Sequence, residues 1–177
     1  LGDTLGVPVR FVPYPDAARA LDAVITGQVH MAAAGLGRNE RLPLSWSQSL
    51  REVEYVIVGR SGGRAVSTEK DLAGRTISVR RGTLAAEKVS EIRKRVPGVN
   101  VHFPIRGAEE RLLADLAQGG LDLVATDRLH FAFGARIHPE LEIVHELPGR
   151  SGIAWALPQG GGALATEIEA FLGEMNA

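Results

Sequence analysis

The chain has 177 residues, 45% hydrophobic and 23% charged, enough apolar material for a core and too much for a disordered segment. Its 20 Lys and Arg offset 21 Asp and Glu to a net charge of −1, which argues against a general nucleic-acid binder. It has no cysteine, which excludes disulfides, thiolate metal sites and a cysteine nucleophile. No apolar run approaches the ~20 residues of a membrane span, and no signal peptide is present. The chain starts at Leu1 and reads as a segment of something longer, so a missing targeting segment says nothing of the compartment.

The first residues, LGDTLG, read as the tail of a helix closed by Gly6. Residues 7–12 are β-rich and predict a strand with Pro8 at its start. Asp16 predicts a cap for a helix over 17–26, with Leu21, Val24 and Ile25 on one face and Gly27 at the stop. Strands are expected over 29–34 and 54–58, and the SGGR at 61–64 is the best boundary candidate. A strand over 76–79 precedes an amphipathic helix over 84–96 carrying Ala85, Val89, Ile92 and Val96 on one stripe, ended by Pro97-Gly98. A strand over 99–103, a helix over 108–118 stopped by Gly119-Gly120, and a buried strand over 121–126 follow. Strands over 141–145 and 152–157 lead to a closing helix marked by Leu164, Ile168, Phe171, Leu172 and Met175. The alternation implies an α/β fold with mainly parallel pairing.

LDAVITGQVHM at 21–31 resembles LADLAQGGLDL at 113–123, an offset of 92 residues. Either this repeats a common helix–glycine–strand unit, or the chain holds two similar lobes. In the second case Gly35 and Asp127 are equivalent positions past two strands, where α/β sheets gather ligands.

Several motifs fall short of catalysis. GRSGG at 59–63 fits G-x-S-x-G, but no helical periodicity follows it as a nucleophile elbow needs. His30, His102, His130, His138 and His145 show no zinc spacing and read as isolated histidines. Glu109-Glu110 read as acids favouring a helix start. No cofactor fingerprint or P-loop is complete.

Three polar features suit a binding cleft. Arg41 sits in a loop after Gly35, and a guanidinium suits a carboxylate, though it also reads as a surface arginine. Gly82-Thr83 opens a helix, where amides and a hydroxyl favour an anion or simply cap it. Asp127 either holds an ammonium group or caps a helix at Arg128.

DLAGRTISVRRGT at 71–83, the Gly35-to-Arg41 loop and the run from Leu121 to Asp127 resemble family 3 periplasmic solute-binding proteins, over nearly the whole chain. AAAGL at 32–36, Glu40-Arg41, HPEL at 138–141, AWALP at 154–158 and EMN at 174–176 resemble the N-terminal regulatory module of the membrane-bound lytic murein transglycosylase F family. The resemblance implies a bilobal, type II periplasmic-binding-protein-like fold, two α/β lobes with a hinge. Lobe 1 is expected over 1–60 and 147–177, incomplete at its start, and lobe 2 over 61–146. It implies a ligand-binding module, not itself an enzyme, that senses an amino acid, cell-wall peptide or muropeptide by cleft closure. Its implied setting is the periplasm near the outer membrane, beside a C-terminal lysozyme-like domain, with no cofactor. The alternative is an amino-acid receptor of an ABC transporter. Ligand-binding residues are expected to be Gly35, Leu36, Arg41, Arg81, Gly82, Thr83 and Asp127, with Arg41 on a carboxylate, Thr83 as the helix-start hydroxyl and Asp127 on an ammonium. The loop to Arg41 is one residue shorter than the family's, and the aromatic stretch before residue 54 is reduced to Trp46.

Overall fold

The computed structural model describes residues 1–105 and 108–175, with the side chain of Ala34 left aside. It is an α/β structure in two compact units, Leu1–Glu52 with Ser151–Ala177, and Val53–Arg150.

Unit 1 opens with α1 (Gly2–Leu5), closed by Gly6 at φ +65. α2 (Ala17–Ile25) starts where Asp16 accepts the Arg19 amide, as its sequence predicts. β1 (Ala32–Gly37) and β2 (Leu44–Trp46) both pair antiparallel with the final residues of β7 (Leu141–Pro158). Leu21 and Val24 of α2 bury against Ala32, Leu36, Leu44 and Ala156. α6 (Gly162–Met175) adds Ile168 and Leu172, packed on Leu157 with Trp155 and Phe171. Each such leucine, isoleucine or valine side chain contributes ~1.5–3 kcal/mol of burial.

Unit 2 has the strand order β7-β3-β6-β4-β5. β3 (Arg51–Arg60) is antiparallel to β6 (Leu123–Asp127), with Tyr55 opposite Asp127. β4 (Thr76–Val79) lies parallel to both β6 and β5 (Asn100–His102). α3 (Leu84–Arg95) buries Ala85, Val89 and Ile92, three positions of the predicted stripe. α4 (Glu109–Ala117) drives Leu112, Leu113 and Leu116 onto Val56, Val58 and Val124. α5 (Arg128–Ile137) follows β6 directly.

Three expectations are corrected. Residues 7–12 form no strand; Val7, Val9, Phe11 and Val12 are exposed. Pro8, Pro13 and Pro15 bring no amide to a ladder there. The expected strands over 141–145 and 152–157 are one strand, in which Gly149 takes φ +80 without ending it. Pairing is mixed, because parallel ladders join only β5, β4 and β6 among the described strands.

The internal similarity extends to hydrogen bonds. α2 and α4 begin 92 residues apart, and both are nine residues long. Gly27 and Gly119, at φ +71 and +80, stop them. The Gly27 amide donates to the Val24 carbonyl and the Gln28 amide to Ala23; the Gly119 amide donates to Leu116 and the Gly120 amide to Asp115. Both stops are Schellman closures, the first leading to the partly exposed β1 and the second to the buried β6.

Candidate functional site

The expected residues fall into both units, three in unit 1 and four in unit 2. In unit 1, Gly35 lies inside β1 at φ +62, where the register with β7 shifts. A side chain at that φ would be strained, so glycine makes the bulge. Leu36 is buried in the unit 1 core, which leaves its backbone as the part a ligand can use. Arg41 is exposed on the loop between β1 and β2. Its amide donates to Asn39 Oδ1 at 3.0 Å, and Trp46 Nε1 donates to the Asn39 carbonyl at 3.0 Å. Asn39, nearly buried, therefore sets the loop that carries Arg41. Its role is not legible in the sequence, where Asn39 is one polar loop residue among several.

In unit 2, Gly82 takes φ +79 and Thr83 caps α3. The Thr83 hydroxyl accepts the Ala86 amide at 3.3 Å and donates to the Arg80 carbonyl at 2.8 Å. Arg81 lies over the Phe103 ring, 4.5 Å from its centroid. Asp127 ends β6 and caps α5, its Oδ1 accepting the Leu129 and His130 amides at 3.0 and 2.9 Å. Because β4 and β6 are parallel neighbours, Thr83 and Asp127 follow the carboxyl ends of adjacent strands. That is where ligands collect on open α/β sheets.

Asp127 is more heavily used than its sequence suggests. Its second oxygen meets His130 Nδ1 at 2.6 Å. That hydrogen bond, with the aspartate's charge, pushes the His130 pKa up against the effect of burial. Burial works to raise the Asp127 pKa, but the hydrogen bonds from His130 and Leu129 and the His130 charge hold it below the usual carboxylate range. His130, set aside as isolated for want of a zinc partner, thus belongs to this cluster. The signal was the Asp-x-x-His spacing across a helix start.

Glu109 joins them electrostatically from the first turn of α4. Burial raises its pKa to about 7, with the neighbouring charges of His130 and Arg80 opposing. Its Oε2 is buried without a hydrogen-bond partner among the described residues. The position fits the expected helix-start acid; the burial does not follow from sequence. Tyr55, opposite Asp127, has its pKa raised by burial and then by the aspartate's charge. Lys88 lies 5.6 Å from the Tyr55 ring centroid. Ser61, the serine of the G-x-S-x-G match, sits in a turn after β3 and donates to Glu142 at 3.5 Å. Among the described residues no group of three His, Cys, Asp or Glu gathers to hold a metal. No helix of the described residues is long and apolar enough to cross a membrane.

No family model matches the chain. It is 28% identical over 145 residues to the membrane-bound lytic murein transglycosylase F of Pseudomonas fluorescens, covering 80% of this chain and 30% of that protein. The same-named protein of Maricaulis maris is 30% identical over 157 residues, covering 86% and 34%. The chain thus spans about a third of the length of these curated relatives. An ancestral arginine-binding protein bound to arginine superposes with a TM-score of 0.84 at 24% identity, over 99% of this chain and 77% of that one. The substrate binding protein of an amino acid ABC transporter gives 0.84 at 20% identity, over 99% and 77%. The chain therefore shares the two-lobed α/β fold of amino-acid-binding proteins and is similar in sequence to a third of membrane-bound lytic murein transglycosylase F.

Proposed function

We propose that the chain is the ligand-binding, regulatory module of a peptidoglycan lytic transglycosylase, and that its ligand is an amino acid, a cell-wall peptide or a muropeptide. The observation that carries this reading is the placement of Gly82-Thr83 and Asp127 after the carboxyl ends of parallel neighbours, each opening a helix. The sequence likeness supplies the cell-wall setting.

In this reading Arg41 grips a carboxylate through its guanidinium fork. Thr83 and the start of α3 favour an anionic group, with Arg81 and Gly82 beside them. Gly35 and Leu36 offer backbone groups. Asp127 holds an ammonium, and His130 tunes it: a ligand amine competes with the imidazole for the same oxygen. Amine affinity therefore rises as His130 loses its proton. Occupancy shifts the conformational population of the chain, and that shift is the signal. The chain itself binds; cleavage of glycan strands belongs to a lysozyme-like domain of the parent, in the periplasm at the outer membrane.

Isothermal titration with free amino acids and muropeptides tests the reading. Saturable binding that Arg41→Ala removes supports it; a folded chain with no heat at millimolar ligand contradicts it. The fold shared with the amino acid ABC transporter protein favours a second reading, a transport receptor. The coding sequence beyond Ala177 separates the two: a lysozyme-like domain supports the first, a stop codon the second.

A further inference from the structure

The strands of unit 2 also have an amino end, and it carries charge that the reading above leaves unused. A cavity of about 460 Å³ opens there, walled by Arg60, Arg64 and Arg75 with Gly119, Gly120 and Asp122, all within unit 2. That volume falls in the usual ~300–1,000 Å³ range of small-molecule sites. Arg75 and Asp122 immediately precede β4 and β6, whereas Thr83 and Asp127 lie at the other ends of these strands. The cavity is therefore separate from the candidate amino-acid site.

Its chemistry is asymmetric. Asp122 holds Arg75 through both carboxylate oxygens, with Nε at 2.9 Å from each, and also accepts the Thr76 amide at 2.9 Å. Arg75 in turn donates to the Arg64 carbonyl at 3.3 Å. Arg60 and Arg64 make no ion pair among the described residues. The turn closed by the Gly63 amide on the Arg60 carbonyl brings both onto one wall. Arg60 lies across the stop of α4 so closely that a Cβ on Gly119 would sit 2.6 Å from its Nη1. Three arginines face one aspartate on the wall, a net of two positive charges there, with Arg64 also acting electrostatically on Asp122 and, outside the wall, on Asp71. The nearby Glu142 is outside that wall and accepts from Ser61.

We propose that this cavity is a second binding site, for a compact dianion such as a phosphate ester or a dicarboxylate, gripped by Arg60 and Arg64 and backed by the fixed Arg75. Two guanidinium forks match multi-oxygen anions, and a phosphate monoester carries about −1.5 to −2 charges at neutral pH. The arginine-rich glycine segment at 59–64, which satisfies no catalytic motif, then has a role: its glycines let two arginines turn into one cavity.

Titration of the chain with sodium phosphate and with sodium succinate, against sodium chloride at matched ionic strength, tests this. The readout is the NMR amide shifts of residues 59–64 and 119–122. Saturable shifts confined to these residues support the site, with tighter binding of phosphate assigning a phosphate ester and tighter binding of succinate a dicarboxylate. Arg60→Ala with Arg64→Ala should weaken the affinity about tenfold or more, while Arg41→Ala leaves it unchanged, so failure of the amino-acid reading would not mimic failure here. If the double variant does not fold, Arg60→Gln alone should still weaken binding severalfold. Absent or non-saturating shifts, shifts that chloride reproduces, or shifts that survive loss of both arginines would overturn the proposal.

Discussion

At Asp127 one carboxylate serves three donors: two backbone amides at the start of α5 and the His130 ring. The consequence is a pH window. His130 has a raised pKa in the fold, so its stabilisation is complete below its unfolded value near ~6.5 and is lost as pH rises through the folded value. Asp127 has a lowered one, so its contribution is present above ~3.9 and is lost as pH falls through the folded value. His130→Ala should therefore lower the melting temperature at about pH 5–6, and the deficit should shrink at alkaline pH. A constant deficit from pH 5 to 9 would mean the ion pair contributes nothing. Glu109 shifts in the opposite direction to Asp127 and, like His130, contributes less as pH rises. Its folded pKa of about 7 exceeds its ordinary value of 4.5, so the fold loses stability as pH rises between the two. Glu109→Gln should flatten that slope and melt higher than the parent protein above pH 7. Thr83→Ala removes the α3 cap and should cost ~1 kcal/mol in denaturant unfolding. Asp127 and Thr83 were legible in the sequence because short polar residues after a buried run mark helix starts. His130 carried only the Asp-x-x-His spacing and Asn39 no signal, because their importance lies in partners fixed only when α5 and the Arg41 loop take shape.

Among elements, the best-read ones carry local punctuation. α2, α3 and α4 each have an apolar stripe and a definite stop, and their bounds agree with expectation to within about a residue or two. α5 was missed as a full helix: RLHFAFGARI has aromatic residues on several faces and a glycine in its interior. The structure supplies the reason for that glycine. A Cβ on Gly134 would lie 2.5 Å from Leu113 Cδ1 and 3.4 Å from its Cβ, so α5 packs on α4 at van der Waals limits. Leu113 is 1% exposed and has little room to move. Gly134→Ala should thus destabilise by ~1–3 kcal/mol despite the better helix propensity of alanine. The neighbouring Phe133→Ala, at an exposed position, should stay within about 0.5 kcal/mol. Equal effects at the two positions would contradict the close helix contact. The expected strand at 7–12 illustrates the reverse error: β-rich composition without a partner makes no ladder.

For the whole molecule, the alternation of elements marked the α/β class and the family resemblance implied two lobes, while the 92-residue similarity left one unit type or two lobes open, because each helix–glycine–strand unit is a local pattern. Strand order was beyond the sequence: whether β3 meets β6 antiparallel depends on long-range pairing, which single-strand composition does not encode. The same limit separates the candidate residues from their ligand. Sequence marks Arg41, Thr83 and Asp127, while the ligand depends on how these groups meet it. The central claim, that the chain binds an amino-acid-like ligand through these residues, is tested most directly by isothermal titration with L-arginine, other free amino acids and muropeptides. Saturable heat is expected with at least one of them, abolished by Arg41→Ala at an unchanged melting temperature. A folded chain that gives no heat at millimolar concentration, or an Arg41→Ala variant of undiminished affinity, would contradict it.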